Sequence, residues 1–146
     1  MRDGIEVSVN PERAAFRCGE RLAGLYRLDD PFKPHFTVLN TPAGHNTVCV
    51  SPGDHPHHKG LMFALNCADL NFWEEDPESG ACGIQKVLAT ETVPGGIRQE
   101  LLWRRRGGGL ETYRETRLIT CASEDTAFRW TWRTRRAALR EHCLIK

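Results

Sequence analysis

Three histidines and an aspartate lie within five consecutive positions of this 146-residue sequence. They are Asp54, His55, His57 and His58, and they follow a Ser-Pro-Gly turn and precede an apolar run. Histidine titrates near neutral pH and is the commonest metal ligand in proteins. The cluster therefore predicts a site for proton transfer, for a metal or for a polar ligand.

The spacing of the cluster allows two geometries. In an extended backbone, His55 and His57 point to one side, while Asp54 and His58 point to the other. In a turn the three imidazoles converge, and Asp54 can accept an N–H bond from a neighbouring ring and fix its tautomer. Imidazoles at this spacing suit a divalent transition metal, with His55, His57 and His58 as candidate ligands. In a metal-free site, His57 or His58 moves a proton and Asp54 or Glu74 orients it.

Other polar and aromatic side chains are candidates for binding a substrate. His35 and His45 lie upstream, so that five of the six histidines fall between positions 35 and 58. Asn46 and Lys59 each adjoin a histidine, and Trp73 can stack on a sugar ring, although core packing is the commoner role of tryptophan. The alternative that all of these are polar loop residues without a ligand stays open at this point.

The elements that position these residues are predicted to be strands. Apolar and polar residues alternate with a period of two along much of the chain, and helical periodicity is nearly absent. The cluster then follows a strand directly, and strand ends are where binding loops are usually built. Strands are predicted over residues 5–9, 14–18, 21–28, 35–39, 47–50, 61–65, 84–93, 97–103, 110–120 and 127–133, and a helical turn over 137–142.

Short turns join the last four predicted strands, which forces neighbouring strands to be antiparallel. In the last strand, Phe128, Trp130 and Trp132 share one face and Arg129 and Arg133 the other. An aromatic stripe of this kind is typical of a core. We therefore predict an all-β fold, a sandwich of mainly antiparallel strands in one domain over 1–146. Little sequence follows the amphipathic last strand, so we expect the domain to be incomplete at its C-terminus or completed in a homo-oligomer.

The composition argues against several classes of function. Lys and Arg total 20 and Asp and Glu total 19, a net charge of +1 that predicts no general attraction to nucleic acid or to acidic membranes. No apolar stretch is long enough for a membrane-spanning helix, and the first residues lack the apolar core of a secretory signal. The six cysteines are scattered, without the close pairs of a zinc site. We expect a cytoplasmic protein with reduced thiols.

Four segments around the cluster closely resemble the PmoA-like family of soluble bacterial proteins, whose label is borrowed from a methane monooxygenase subunit. They are Lys-Pro-His-Phe at 33–36, Thr-Pro-Ala-Gly-His-Asn at 41–46, Asp-His-Pro-His-His-Lys-Gly-Leu at 54–61 and Asn-Phe-Trp at 71–73. The resemblance implies a mainly β architecture and an association with sugar-metabolism oxidoreductases and carbohydrate-processing proteins. Members of that family are longer, which implies that this chain is an N-terminal fragment.

A weaker similarity, at the level of the fold, is to the mutarotase-like sandwiches, of which this chain would be half a supersandwich. There a pyranose would meet His55, His57, His58 and an acid, with Trp73 at the rim, although fold analogy alone does not establish function. We consider three hypotheses. The first is binding or processing of a carbohydrate or sugar derivative through the histidine cluster. The second is a metal-dependent oxygenase or hydrolase that uses the same histidines, and the third is a non-catalytic binding module or inactive fragment.

Overall fold

The computed structural model describes residues 4–67 and 69–141. This part of the chain contains two four-stranded antiparallel sheets and no helix, which confirms the predicted all-β sandwich class. Both sheets are meanders in which consecutive strands are neighbours. The first contains β1 (Ile5–Val9), β2 (Arg13–Cys18), β3 (Arg21–Arg27) and β4 (His35–Leu39), and the second contains β5 (Gly83–Val93), β6 (Gly96–Arg105), β7 (Tyr113–Ser123) and β8 (Phe128–Ala138).

The turns between strands follow the glycines and prolines of the sequence. Gly19, between β2 and β3, and Gly95, between β5 and β6, have φ angles of 60° and 69°. Glycine adopts this left-handed region without the steric penalty of a side chain, so both hairpins close tightly. These turns produce the antiparallel order that the sequence predicted for the second half of the chain.

The first core cluster lies between the two sheets. Phe128, Trp130 and Trp132 of β8 pack against it, as predicted, and the rings of Trp130 and Phe16 meet edge to face at 4.9 Å. Aromatic pairs in this geometry stabilise a core beyond the area they bury. The buried members of the cluster are Ala14, Phe16, Ala23, Tyr26, Phe36, Ile97, Ile119 and Cys121.

The second sheet needs another cover, because its strands reach 11 residues whereas those of the first sheet reach 7. The segment between β4 and β5 provides it. Its side chains Cys67, Leu70 and Phe72 are buried in a second cluster with Leu101, Trp103 and Tyr113 of the sheet. The segment that carries the candidate site is therefore anchored to the second sheet.

A buried polar network separates the two clusters on the inner face of β7. Arg117 and Glu115 are both fully buried, and the Arg117 Nε donates to Glu115 Oε2 at 2.7 Å while its Nη2 donates to Oε1 at 2.8 Å. Trp103 Nε1 also donates to Glu115, and Tyr26 OH accepts from Arg117. A bidentate, fully hydrogen-bonded pair of this kind offsets the desolvation of both charges.

Two strand predictions near the site are wrong. Residues 47–50 and 61–65 form only isolated bridges, Val50 with Lys59 and Phe36 with Leu61. The run 61–65 was predicted as a fully buried strand, yet Leu61 is 41% exposed while Phe63 and Leu65 pack against the second cluster. An apolar segment can cover the face of a sheet without pairing as a strand itself. The sequence pattern of such a segment does not differ from that of a buried strand.

The C-terminal end of the sheet also differs from the prediction. Strand β8 continues to Ala138, where a helical turn over 137–142 was predicted, and residue 142 lies outside the described residues. Pairing of β8 with β7 extends as far as Ala138 opposite Tyr113, so the ladder outweighs the helical preference of the alanines.

Among the described residues, no helix is long and apolar enough to cross a membrane.

Candidate functional site

The histidine loop, residues 51–58, is closed at its base by the bridge between Val50 and Lys59. The Ser51 N–H donates to the His58 carbonyl at 2.7 Å. Within the loop, the N–H of His55 and that of His58 each donate to the carbonyl three residues before, at 2.9 and 3.0 Å. These are successive turns, so the loop adopts the turn geometry of the two that the sequence allowed.

The turns bring the three imidazoles together. The ring of His58 lies between the other two, stacked on His55 at 4.7 Å between centroids and edge-on to His57 at 4.6 Å. Asp54 Oδ2 lies 3.0 Å from His55 Nδ1. The aspartate therefore orients His55, and its charge also opposes the lowering of the His58 pKa.

Proximity of the rings influences the protonation of His58. Burial, together with the neighbouring His57 and His55 rings, lowers the pKa of His58 below its ordinary value. Two positive charges at these ring distances would repel each other. His58 is therefore neutral at neutral pH, with a ring nitrogen able to accept a proton.

Ring orientation decides what the cluster can do with a metal. An imidazole binds a metal in its ring plane, and the planes of His55 and His58 are only 22° from parallel. Across residues 4–67 and 69–141, no group of three or more His, Cys, Asp or Glu side chains is arranged to hold a metal ion. The predicted metal site at His55, His57 and His58 thus has no preformed geometry in the described chain, and metal binding stays a prediction.

A second loop faces the histidines. Asn71 shapes it, because its side-chain oxygen accepts the N–H groups of Trp73 and Glu74, each at 2.9 Å. Trp73 is 38% exposed, and its ring meets His58 edge-on at 5.7 Å. An open cleft of about 460 Å³ lies between the two loops, with lining residues Phe32, Pro56, His57, Glu74, Glu75, Asp76 and Pro77.

Below the cleft, a nearly buried ionic network, formed by Asp30, Lys33, Lys59 and Glu75, joins the two loops. Lys59 Nζ lies 2.9 Å from Asp30 Oδ2 and 2.7 Å from Glu75 Oε1. Lys33, with a side chain 1% exposed, lies 3.4 Å from Glu75 Oε2 and donates to the carbonyl oxygen of Trp73 at 2.7 Å. The network thus fixes the position of Trp73 and the base of the histidine loop.

The pKa shifts of these groups reflect burial in competition with partners. Burial by itself raises the pKa of Asp30, but hydrogen bonds from Lys59 and from the N–H groups of Phe32 and Lys33 outweigh it and lower the pKa. Burial opposes the charge on Lys59, yet Glu75 and Asp30 raise its pKa. For Lys33, burial dominates and lowers the pKa. Of the two lysines in the network, Lys33 therefore carries the less stable charge.

The remaining residues predicted to bind substrate lie elsewhere or serve the loops. His35 has no exposed surface, and its Nδ1 donates to the Lys33 carbonyl at 3.0 Å, so it is not part of the cleft wall. His45 lies in an exposed turn after β4. The Asn46 side chain binds backbone groups of β4 before that turn and the N–H of Val48 after it. Lys59 is held by two carboxylates, and of this set only Trp73 has a ring contact with a histidine of the loop.

Sequence reasoning missed Asp30 and Phe32, which lie two residues apart. Asp30 Oδ1 accepts the N–H of Phe32 at 2.9 Å, an Asx turn for which Asp followed by Pro31 is a recognisable signal. Nothing in the sequence indicates that this turn lies beside residue 59. The bridge between Leu61 and Phe36 of β4 brings the two segments together.

The fold and the loops define an all-β protein with an acid-lined cleft, to which the histidine loop contributes His57. The model of a family of unknown function, DUF6807, matches residues 14–145, and the chain belongs to that family. Comparison with the curated proteins gave no match, and comparison with the solved structures gave none. The resemblance to the PmoA-like family stays a prediction.

Proposed function

We propose that the cleft between the histidine loop and residues 73–77 binds a carbohydrate or sugar derivative. The observation that carries this proposal is the half-exposed Trp73 ring against His58, beside the wall formed by His57, Glu74 and Asp76. A sugar presents apolar C–H faces that pack on an aromatic ring, and hydroxyl groups that hydrogen-bond to imidazole and carboxylate. A cleft with apolar walls and a few convergent polar groups is the common form of small-molecule sites.

If the bound sugar is also processed, His57 or His58 is the proton-transfer group. His58 is neutral at neutral pH because its pKa is lowered, which is the state required of a base. Glu74 lies in the same wall and is exposed, so it can act as a second acid or hydrogen-bond a hydroxyl. Asp54 orients the cluster through His55.

The metal-dependent alternative uses the same histidines, but the near-parallel planes of His55 and His58 do not favour it. It predicts that stoichiometric Zn²⁺, Cu²⁺, Fe²⁺ or Mn²⁺ raises the unfolding temperature of untagged protein by preferential binding to the folded state. The non-catalytic alternative predicts sugar binding without turnover.

The test is saturation-transfer NMR of the protein with a panel of neutral and acidic monosaccharides, followed by titration of those that bind. Trp73→Ala should weaken binding about fivefold, since stacking of an aromatic ring contributes on the order of 1 kcal/mol. The matched control is Leu88→Ala, which shortens an exposed apolar side chain on β5, outside the cleft. Absence of binding across the panel, or equal affinity for the two variants, would overturn the proposal.

Variants of the histidines separate binding from chemistry. His57→Ala and His58→Ala should abolish turnover of any sugar that the protein converts, with a smaller effect on binding. Unchanged turnover in both variants contradicts the assignment of either histidine as the proton-transfer group. Binding without turnover in the unmodified protein selects the binding module.

A further inference from the structure

The outer face of the second sheet concentrates the positive charge of the chain. Alternation along β5 to β8 directs apolar side chains inward and leaves a basic surface outside. This surface, called here the basic face, bears Lys86 and the arginines 98, 114, 129, 133 and 135. They outnumber Glu91 and Glu100, the carboxylates on the same face, although the net charge of the whole chain is only +1.

The carboxylates on this face hold their arginines weakly. Arg98 lies 4.0 Å from Glu91 and Arg114 lies 4.0 Å from Glu100, and both arginine side chains are 54% exposed. Arg129 is closer to its partner, with Nε 3.1 Å from Glu124 Oε1 in the turn before β8, but its side chain is 68% exposed. Exposed ion pairs contribute little to stability. Within residues 4–67 and 69–141, no carboxylate forms an ion pair with Arg133 or Arg135, so their guanidinium groups are available to an external anion.

We propose that the basic face binds a linear acidic polysaccharide that carries carboxylate groups. Arginine forks bind carboxylates through two parallel hydrogen bonds, which a lysine does not reproduce. From Arg129 to Arg135 the strand spans about 20 Å, and Arg133 and Arg135 are about 7 Å apart on the same side. An extended polymer therefore reaches several arginines in succession, whereas a single sugar acid reaches one or two.

The side chains on this face argue against a nucleic acid as the occupant. The aromatic rings of β8 (Phe128, Trp130 and Trp132) point inward to the core, and Leu102, Leu118 and threonines lie between the arginines outside. The face therefore offers no platform for stacking bases. It is also a sheet surface without a helix that enters a groove. Leu102 and Leu118 instead suit the C–H faces of a sugar chain.

The experiment is calorimetric titration with a polygalacturonate oligosaccharide, at low and high salt. We expect binding that weakens steeply with salt, with far lower affinity for galacturonate monosaccharide and no binding of neutral dextran. Arg133→Gln/Arg135→Gln should weaken polygalacturonate binding about tenfold, the loss of two exposed ion pairs. The matched control Arg13→Gln/Arg17→Gln removes the same charge from the outer side of β2 and should bind within about twofold of the unmodified protein.

Further arms distinguish the occupant and the site. Tighter binding of duplex DNA, single-stranded DNA or phosphatidylserine vesicles than of polygalacturonate would overturn the proposal, as would equal affinity for dextran or equal loss in both double variants. Trp73→Ala should leave polygalacturonate binding unchanged, because Trp73 packs against His58 beside the cleft and is not on the basic face. A loss in Trp73→Ala equal to that in the arginine variant would assign the binding to the cleft and contradict this inference.

Discussion

Glu75→Gln should destabilise the protein by about 3 kcal/mol, because it leaves a buried lysine without its counter-ion. The Glu75 side chain is 8% exposed and lies 2.7 Å from Lys59 and 3.4 Å from Lys33. After the substitution, Lys59 retains Asp30 at 2.9 Å, but Lys33 retains only the carbonyl groups of the Trp73 loop. Removal of one partner of a buried pair typically costs 3–5 kcal/mol, and the surviving Lys59 pair sets the expectation near the lower end, at about 3 kcal/mol.

The assay is urea unfolding, followed separately by circular dichroism and by tryptophan emission. A shift of the midpoint at constant slope reports a change in stability. The tryptophan emission, to which Trp73 contributes, should also begin to change at a lower urea concentration than the main transition. The reason is that Lys33 still binds the carbonyl of Trp73 but has lost its counter-ion Glu75. The control is Glu78→Gln, a change of the same chemistry at an exposed position of the same loop, expected within about 0.5 kcal/mol of the unmodified protein.

A double-mutant cycle isolates the ion pair. Lys33→Met removes the cation that Glu75→Gln leaves unpaired, so the double variant should be more stable than the sum of the single losses predicts, by roughly 1–3 kcal/mol. A loss below about 1 kcal/mol for Glu75→Gln, or additive losses in the cycle, would refute the view that the network is a buried, charge-balanced support of the cleft.

Three further outcomes follow from other buried groups. The pKa of Asp30 is lowered from its ordinary value of about 3.8. The ionised carboxyl therefore stabilises the fold above pH 3.8, and this contribution declines as the pH falls through the lowered pKa. In urea unfolding at a series of acidic pH values, Asp30→Asn should reduce this loss of stability. Gly60→Ala should cost more than about 3 kcal/mol, because φ is +53° and a Cβ would collide with a carbonyl oxygen of β4, whereas Gly53→Ala, with open space, should be nearly neutral in thermal unfolding. Glu115→Gln should lower the free energy of unfolding, measured in urea, by about 3 kcal/mol, because it leaves the charge of the fully buried Arg117 uncompensated. A loss under about 1 kcal/mol would contradict this reasoning.

The strands were predictable where local pattern and pairing agree. The alternation of apolar and polar residues in β8, with Trp130 and Trp132 inward, follows from the side-chain period of a strand. The segment from 40 to 82 was less predictable, because it contains isolated bridges instead of ladders and is anchored by Phe72 and Leu70 in the second cluster. Its apolar runs therefore resemble strands without forming any.

The candidate site divides in the same way. The sequence by itself determined that three imidazoles, which titrate near neutral pH, lie within five adjacent positions, but it left an extended and a turn geometry open. Only the tertiary structure decided that His35 is buried, that Trp73 meets His58, and that Asp30 and Glu75 bind the same lysine. These groups are distant in sequence, and their contacts arise when the segment between the sheets bridges to β4 and packs on the second sheet.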